Sequence, residues 1–183
     1  MTVLVAVASE HGATREIATR IADRLTERGV NVDVNKPEEV HDLTRYDAFV
    51  VGSAIYLGHW LKPAVTFVEG HAGELSEHPT WLFSSGPIVG DPPTAEPADA
   101  AKGDLLAESV HAREHKVFAG KLDKSQLNWC EKIAVRCAHA REGDYRDWQA
   151  IDDWAAAIAS ELQQGRAKVA RAAGGFDGIA ASR

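Results

Sequence analysis

Residues 2–28 read TVLVAVASEHGATREIATRIADRLTER, an apolar run followed by a segment with helical periodicity. Its first part, Thr2 to Ala8, is an unbroken apolar run rich in β-branched residues, which is typical of a strand buried on both faces. From Ala13 to Arg28 apolar residues recur at helical spacing with charged residues opposite, and Gly29 follows as a stop signal. The stretch therefore predicts a buried strand followed at once by an amphipathic helix that packs on it.

Strands and helices continue to alternate after this unit. Further strands are predicted at Val30 to Val34, at Ala48 to Val51 with Gly52 as its end, at Thr80 to Phe83 and around Lys116 to Ala119. Right-handed crossovers between such strands require a parallel sheet covered by helices on both faces. We therefore expect an α/β, doubly wound, five-stranded parallel sheet in the order 2-1-3-4-5.

The connecting segments predict helices of different lengths. They are a short helix at Pro37 to Leu43, a helix after Pro63, a helix through Leu105, Leu106 and Val110 that follows a loop at Gly90 to Gly103, and two helices at about Lys124 to His139 and Asp147 to Gln163. The helix at Lys124 to His139 is extra, because it stands between strand five and the last helix.

Size and composition indicate one folded unit. The chain has 183 residues, 45% of them hydrophobic and 26% charged, so we expect one domain at 1–164 and an Ala-, Gly- and Arg-rich tail at 165–183. A formal charge of -7 argues against nucleic acid as a partner. Cys130 and Cys137 lie too far apart on the predicted helix for a disulfide. We expect a cytoplasmic protein without a membrane span.

The loops after strands one, three and four form the expected ligand site, because ligands of such sheets bind where the strand order reverses. The first loop, at 9–14, reads SEHGAT and leads directly into the helix, so its free amides and hydroxyls face any anion placed there. It matches neither GxGxxG nor GxxxxGK[ST], and a single phosphate suits it best. Taken alone, Ser9 and Thr14 are slightly better explained as helix caps.

The two other loops differ in character. The segment 52–60, GSAIYLGHW, is apolar and aromatic, which favours a flat apolar ligand against Tyr56 and favours core packing for Trp60. The segment Ser84-Ser85-Gly86-Pro87 offers hydroxyls and amides, although a plain turn explains it nearly as well.

These motifs resemble a known family. The segment 9–18, SEHGATREIA, together with Tyr46-Asp47 and 52–60, looks like the flavodoxin-like menaquinone-dependent protoporphyrinogen oxidase family, whose members reduce a quinone with electrons from the porphyrinogen. The resemblance covers about the first 90 residues and implies a flavodoxin-like fold with bound FMN. The implied cofactor-binding residues are Ser9, Glu10, His11, Gly12, Ala13, Thr14, Ser53, Ala54, Ile55, Tyr56, Leu57, Gly58, Ser84, Ser85, Gly86 and Pro87.

The resemblance also places an insertion at Leu122 to Asp144. Acidic and basic residues balance there, so an anionic bilayer would attract it weakly, and we expect no membrane association. His111 and His115 have the spacing of a helical metal pair but lack the HExxH glutamate, so we interpret both as surface histidines and predict no metal site. No residue is assigned a catalytic role.

Three functions stay open on sequence grounds. The first is an FMN-dependent oxidoreductase acting on a quinone or a porphyrinogen-like small molecule. The second is a flavodoxin-type electron carrier, for which the charge of -7 would provide a docking face for a redox partner protein. The third is a flavin-free interaction domain. Assembly into a homo-oligomer is left open.

Overall fold

A computed structural model describes residues 1–56, 58–86, 97–123, 125 and 142–174. Its strands are β1 (Thr2–Ala8), β2 (Asn31–Asn35), β3 (Ala48–Tyr56), β4 (His59–Trp60), β5 (Thr80–Ser85), β6 (Glu114–Phe118), β7 (Lys121–Leu122) and β8 (Gly143–Asp144). Its α-helices are α1 (Ala13–Thr26), α2 (Lys62–Gly70), α3 (Ala72–Glu77), α4 (Pro97–Ser109) and α5 (Trp148–Gly174), and a 3-10 helix spans Pro37–Glu39.

The central sheet has the order β2-β1-β3-β5-β6 with every neighbouring pair parallel. Counted along the chain, its five parallel strands have the order 2-1-3-4-5, and the predicted doubly wound α/β architecture is confirmed. β4 was not predicted; it pairs antiparallel with the end of β3. β7 and β8 form a separate antiparallel ladder.

Helices cover both faces of the sheet, and each face has its own core. Alternate residues of the buried strands point to opposite sides, as the unbroken apolar run of β1 requires. On one side Val3, Val5 and Val7 pack with α1 and α5, including Ile17, Ile21, Ile151 and Ile158. On the other side Leu4, Ala6, Phe49, Val51 and Leu82 pack with Val68, Leu75 and Val110.

β3 is longer than predicted, because Gly52 does not end it. The strand continues to Tyr56, and Gly52 lies within its paired part, opposite Phe83 of β5. A side chain at position 52 would overlap the Phe83 ring. The glycine therefore makes room for an aromatic core residue, and reading it as a strand terminator was wrong.

The predicted loop at Gly90 to Gly103 is wrong in its second half, because α4 already begins at Pro97. Proline suits the first turn of a helix, since the amide hydrogen that it lacks has no partner there. α5 also differs from its prediction: it runs to Gly174, ten residues past the expected domain end at 164. That domain division stays a prediction. The helix predicted at Lys124 to His139, with Cys130 and Cys137, lies outside the described residues apart from Ser125.

Candidate functional site

Three segments of the chain meet at one edge of the sheet, where β1, β3 and β5 end. Ala8 pairs with Ser53, and Ser53 pairs with Ser84, so the residues that follow these strands emerge side by side. The sequence prediction placed its candidate residues after these strands. The described ones lie at this edge, whereas Leu57 and Pro87 lie outside the described residues.

The segment 9–14 leads into α1 through a glycine. Gly12 is the N-cap residue, with φ of 82°, and none of the described side chains caps the helix. Its carbonyl accepts the amide hydrogen of Glu16 at 2.9 Å, which is the first hydrogen bond of the helix. The amides that precede Glu16 in this turn therefore have no acceptor within the helix. The cap role favoured for Ser9 and Thr14 is therefore wrong, and the helix start offers free donors to a ligand.

Ser9 carries the clearest sign of a ligand at this helix start. Its Oγ atom is buried and has no hydrogen-bond partner among the described residues. A buried hydroxyl without a partner costs free energy, and such groups are rare in native proteins. Thr14 is also buried, in the first turn of α1. A phosphate oxygen would satisfy the Ser9 hydroxyl, and this donor set fits the phosphate group of FMN.

The second segment is mostly strand rather than loop. Ser53, Ala54 and Ile55 are buried within β3. The Ser53 hydroxyl donates to the Ala54 carbonyl at 2.8 Å and accepts the Leu61 amide hydrogen at 2.9 Å. This hydroxyl holds the turn between β3 and α2, so the backbone near it is better placed to contact a ligand than its side chain.

Two residues of the predicted site lie across from each other. Tyr56, half-buried at the end of β3, has its ring centroid 6.0 Å from that of His11, and the two ring planes are tilted by 54°. Gly58 follows with φ of 74°, a conformation that favours glycine. An aromatic wall therefore stands next to the segment 9–14, on the side where the sequence predicted a flat ring.

Ser84 is a predicted cofactor-binding residue, but its hydroxyl is hydrogen-bonded to other side chains of the protein. It is fully buried, and its Oγ atom accepts the Trp60 Nε1 hydrogen at 2.7 Å. The same Oγ lies 2.8 Å from His115 Nε2. Trp60 thus packs in the core, as predicted. Ser85 is buried too, and Gly86, with φ of 91°, donates its amide hydrogen to the Phe118 carbonyl at 3.0 Å.

His115 is not a surface residue, and that prediction was wrong. Its side chain is only 3% exposed, and its Nδ1 atom lies 2.7 Å from Asp104 Oδ1, whose carboxylate is 58% exposed. Gly103 leaves the space that the imidazole ring occupies. His111, in contrast, is exposed.

Asp104, His115 and Ser84 form a hydrogen-bonded chain of the kind that activates a serine nucleophile. Here the Ser84 hydroxyl has no access to solvent and already receives the Trp60 hydrogen. With His115 Nδ1 donating to Asp104 Oδ1, Nε2 accepts the Ser84 hydrogen, so both imidazole nitrogens and the Ser84 hydroxyl are paired. The chain therefore stabilises the β4 turn and does not offer a nucleophile.

Arg146 is a residue that the sequence analysis missed. Its guanidinium donates to Ala13 O at 3.2 Å and to Glu16 Oε2 at 2.7 Å, both in the first turn of α1. It also donates to both carboxylate oxygens of Asp144, at 2.8 and 2.6 Å, and these bonds lower the pKa of the Asp144 carboxyl. Its partners on α1 stand 130 or more positions away in sequence, so no local pattern points to them.

Within the described parts of the chain, no cluster of three or more His, Cys, Asp or Glu side chains could hold a metal ion. In those same parts, no helix has both the length and the apolar character needed to cross a membrane.

Comparisons with known proteins agree with this architecture. The chain is 26% identical over 172 residues to the Protoporphyrinogen IX dehydrogenase [quinone] of Escherichia coli K12, covering 87% of this chain and 95% of the relative. The flavodoxin of Streptococcus pneumoniae TIGR4 superposes with a TM-score of 0.57 at 20% identity, covering 90% of this chain and 99% of that one.

A larger protein shares the fold as well. The rubredoxin:oxygen oxidoreductase of Desulfovibrio gigas superposes with a TM-score of 0.62 at 13% identity over 89% of this chain, which spans only 36% of that chain. These structural likenesses establish the fold alone. The family model described as Flavodoxin domain matches residues 4–149, most of the chain. The chain belongs to the flavodoxin domain family.

Proposed function

We propose that this protein binds FMN at the carboxyl edge of its sheet and works as an oxidoreductase. The observation that carries the proposal is the buried Ser9 Oγ, which has no partner among the described residues, next to a helix start at Gly12 that no described side chain caps. A fold that needed no ligand here would gain from a side-chain cap or from an apolar residue at position 9.

The phosphate half of the proposed site is the segment 9–14. The start of α1 carries partial positive charge from the helix dipole, and its amides are free to donate. The dipole contributes only about 0.3 to 1 kcal/mol, so hydrogen bonds from these amides, Ser9 and Thr14 supply most of the phosphate affinity. The overall charge of -7 makes such local donors necessary for an anion.

The ring half of the proposed site is built from Tyr56, Gly58 and the residues after β5. Tyr56 offers a flat face beside His11, and the left-handed turn at Gly58 lets the backbone approach a ligand closely. Ser53, Ser84 and Ser85 contribute through their backbone, and the hydrogen bonds of the buried Ser53 and Ser84 hydroxyls keep this edge rigid.

When bound, FMN accepts hydride or single electrons, which supplies the redox chemistry. The protein's own residues then have three tasks: to hold the phosphate, to shield one side of the ring with Tyr56 and to keep the edge of the sheet rigid. The chain from Asp104 to Trp60 serves the last task, because its hydrogen bonds fix the His115 ring, the Ser84 hydroxyl and the Trp60 indole to one another.

The finer proposal concerns the substrate. Similarity to the Escherichia coli protein over 87% of this chain supports a quinone as electron acceptor and a porphyrinogen-like molecule as donor. The runner-up is an electron carrier that exchanges electrons with a redox partner protein, which the acidic surface supports. On sequence grounds we place either activity in the cytoplasm.

Steady-state turnover separates the two. Protein loaded with FMN is mixed anaerobically with protoporphyrinogen IX and a menaquinone, and porphyrin fluorescence is followed against a sample lacking protein. An oxidoreductase completes many turnovers per flavin. An electron carrier oxidises no more donor than its flavin can accept, and that result would reject the enzymatic proposal.

A further inference from the structure

We propose that Arg146 is a positioning residue for the phosphate segment, and that it gives the protein its preference for FMN over riboflavin. The inference rests on the proposed FMN function. It concerns a side chain that does not touch the ligand but fixes the first turn of α1, from which the phosphate-binding amides project.

The Arg146 guanidinium is held from both sides. Two of its contacts, to Ala13 O and to Glu16 Oε2, fix the beginning of α1, and its bonds to Asp144 fix it to β8. Its side chain is only 3% exposed. The fork geometry of arginine makes this possible, because a lysine ammonium lacks the planar set of donors.

The segment that carries Arg146 is itself anchored. The Tyr145 amide donates to the Gly120 carbonyl at 3.1 Å, and the Arg146 guanidinium lies 4.5 Å from the centre of the Trp148 ring at the start of α5. Gly120 in turn lies close against the backbone of Gly86. The backbone next to Arg146 is thus connected, through Gly120, with Gly86, which follows β5.

Arg146 acts through geometry rather than through its charge. One cation against the carboxylates of Asp144 and Glu16 leaves the cluster negative, so the cluster does not attract a phosphate. What it supplies is a fixed position for the Ala13 carbonyl and therefore for the neighbouring amides. Hydrogen bonds to phosphate depend steeply on distance and angle, so a displaced turn loses several at once.

The test compares two ligands that differ only in the phosphate. Dissociation constants of FMN and riboflavin are measured by quenching of flavin fluorescence for the wild type, Arg146→Met and Arg146→Lys. We expect both variants to weaken FMN binding about tenfold, the order of a lost charge-assisted hydrogen bond, while riboflavin binding changes less than about twofold. Equal weakening for both ligands, or full FMN affinity in either variant, would overturn the proposal.

Asp144→Asn covers the case in which Arg146 variants fail to fold. Asp144 is 42% exposed, and its loss loosens Arg146 while removing a negative charge. The change in charge alone would tighten FMN binding, whereas the positioning role of Arg146 predicts weaker binding. Tighter or unchanged FMN binding would therefore contradict the positioning role.

Arg20→Met is the matched control. Arg20 also joins α1 to the last helix, through Asp152 at 2.6 Å, but from the middle of α1. It should leave the ratio of the two affinities unchanged. A wild-type protein that binds neither flavin would reject the proposed function itself, which distinguishes that failure from a failure of the Arg146 role.

Discussion

The ring centroids of His11 and Tyr56 lie 6.0 Å apart, and this contact joins the segment after β1 to the end of β3. The two residues belong to different halves of the proposed site, since His11 lies in the segment proposed to bind the phosphate and Tyr56 in the segment proposed to face the ring. The contact places the two proposed halves next to each other. Because FMN carries the phosphate and riboflavin lacks it, binding of the two ligands can still test each half separately.

Tyr56→Ala should weaken FMN and riboflavin equally. Loss of an aromatic contact is worth about 0.5 to 1.5 kcal/mol, so both dissociation constants should rise about twofold to twelvefold. Fluorescence titration of the folded variant with each flavin measures this. A selective loss of FMN would place Tyr56 at the phosphate and contradict the assignment.

Ser9→Ala should weaken binding only at the proposed phosphate half of the site. The Ser9 hydroxyl is buried and has no partner in the part of the chain that the structure describes. Its removal should therefore leave the free energy of unfolding unchanged or slightly higher, while FMN binding weakens about fivefold to tenfold. Urea denaturation and flavin titration are both needed. Ser76→Ala, which removes an exposed hydroxyl bonded to the Gly73 carbonyl, is the control and should change neither dissociation constant. Unaltered FMN affinity in Ser9→Ala would contradict the phosphate site.

Gly103→Ala tests the burial of His115. Alanine favours a helix by about 1 kcal/mol over glycine, yet here its Cβ would overlap the imidazole ring, so we expect a net loss of about 1 to 3 kcal/mol. Gly165→Ala in α5 is the control, because an added Cβ there meets nothing within 4 Å, and it should stabilise by up to about 1 kcal/mol. Thermal unfolding that ranks the two variants in the reverse order would contradict the buried position of His115.

Asp152 gives a dependence of stability on pH. Its hydrogen bonds to Arg20 and its ion pair with Arg24 hold its pKa at about 2, below the usual value for aspartate. The stabilisation is fully present above about pH 4, where the unfolded chain is also ionised, and is lost as the pH falls towards 2.

Urea midpoints of the wild type and Asp152→Asn at several pH values measure this contribution. The variant should be less stable near neutral pH, and the gap should close as the pH falls to about 2. Asp153→Asn, whose carboxylate accepts a bond from Gln149, serves as the neighbouring control. A gap that is constant over this range would contradict the ion pair.

The sequence predicted the parts of the fold that depend on local pattern. β1 and α1 are evident because an apolar run and a helical period each leave a direct trace within a few residues. Gly52 and Gly103 were misread for one shared reason, since each makes room for a ring, Phe83 or His115, that another element supplies.

The candidate site was predictable at the level of segments but not of side chains. Register places the ends of β1, β3 and β5 together, and this follows from strand order alone. The burial of Ser84 depends on Trp60 and His115, and the anchoring of α1 depends on Arg146. These partners are distant in sequence, and no motif spacing encodes them.

Titration of the purified protein with FMN tests whether the segment 9–14 binds a phosphate. The protein is stripped of any bound flavin, its folded state is checked by circular dichroism, and FMN and riboflavin are added while flavin fluorescence and the visible spectrum are recorded. We predict that one FMN binds per chain, with quenched fluorescence and with higher affinity than riboflavin. A folded protein that takes up no FMN, or that binds both flavins equally, would contradict the proposed phosphate site at 9–14.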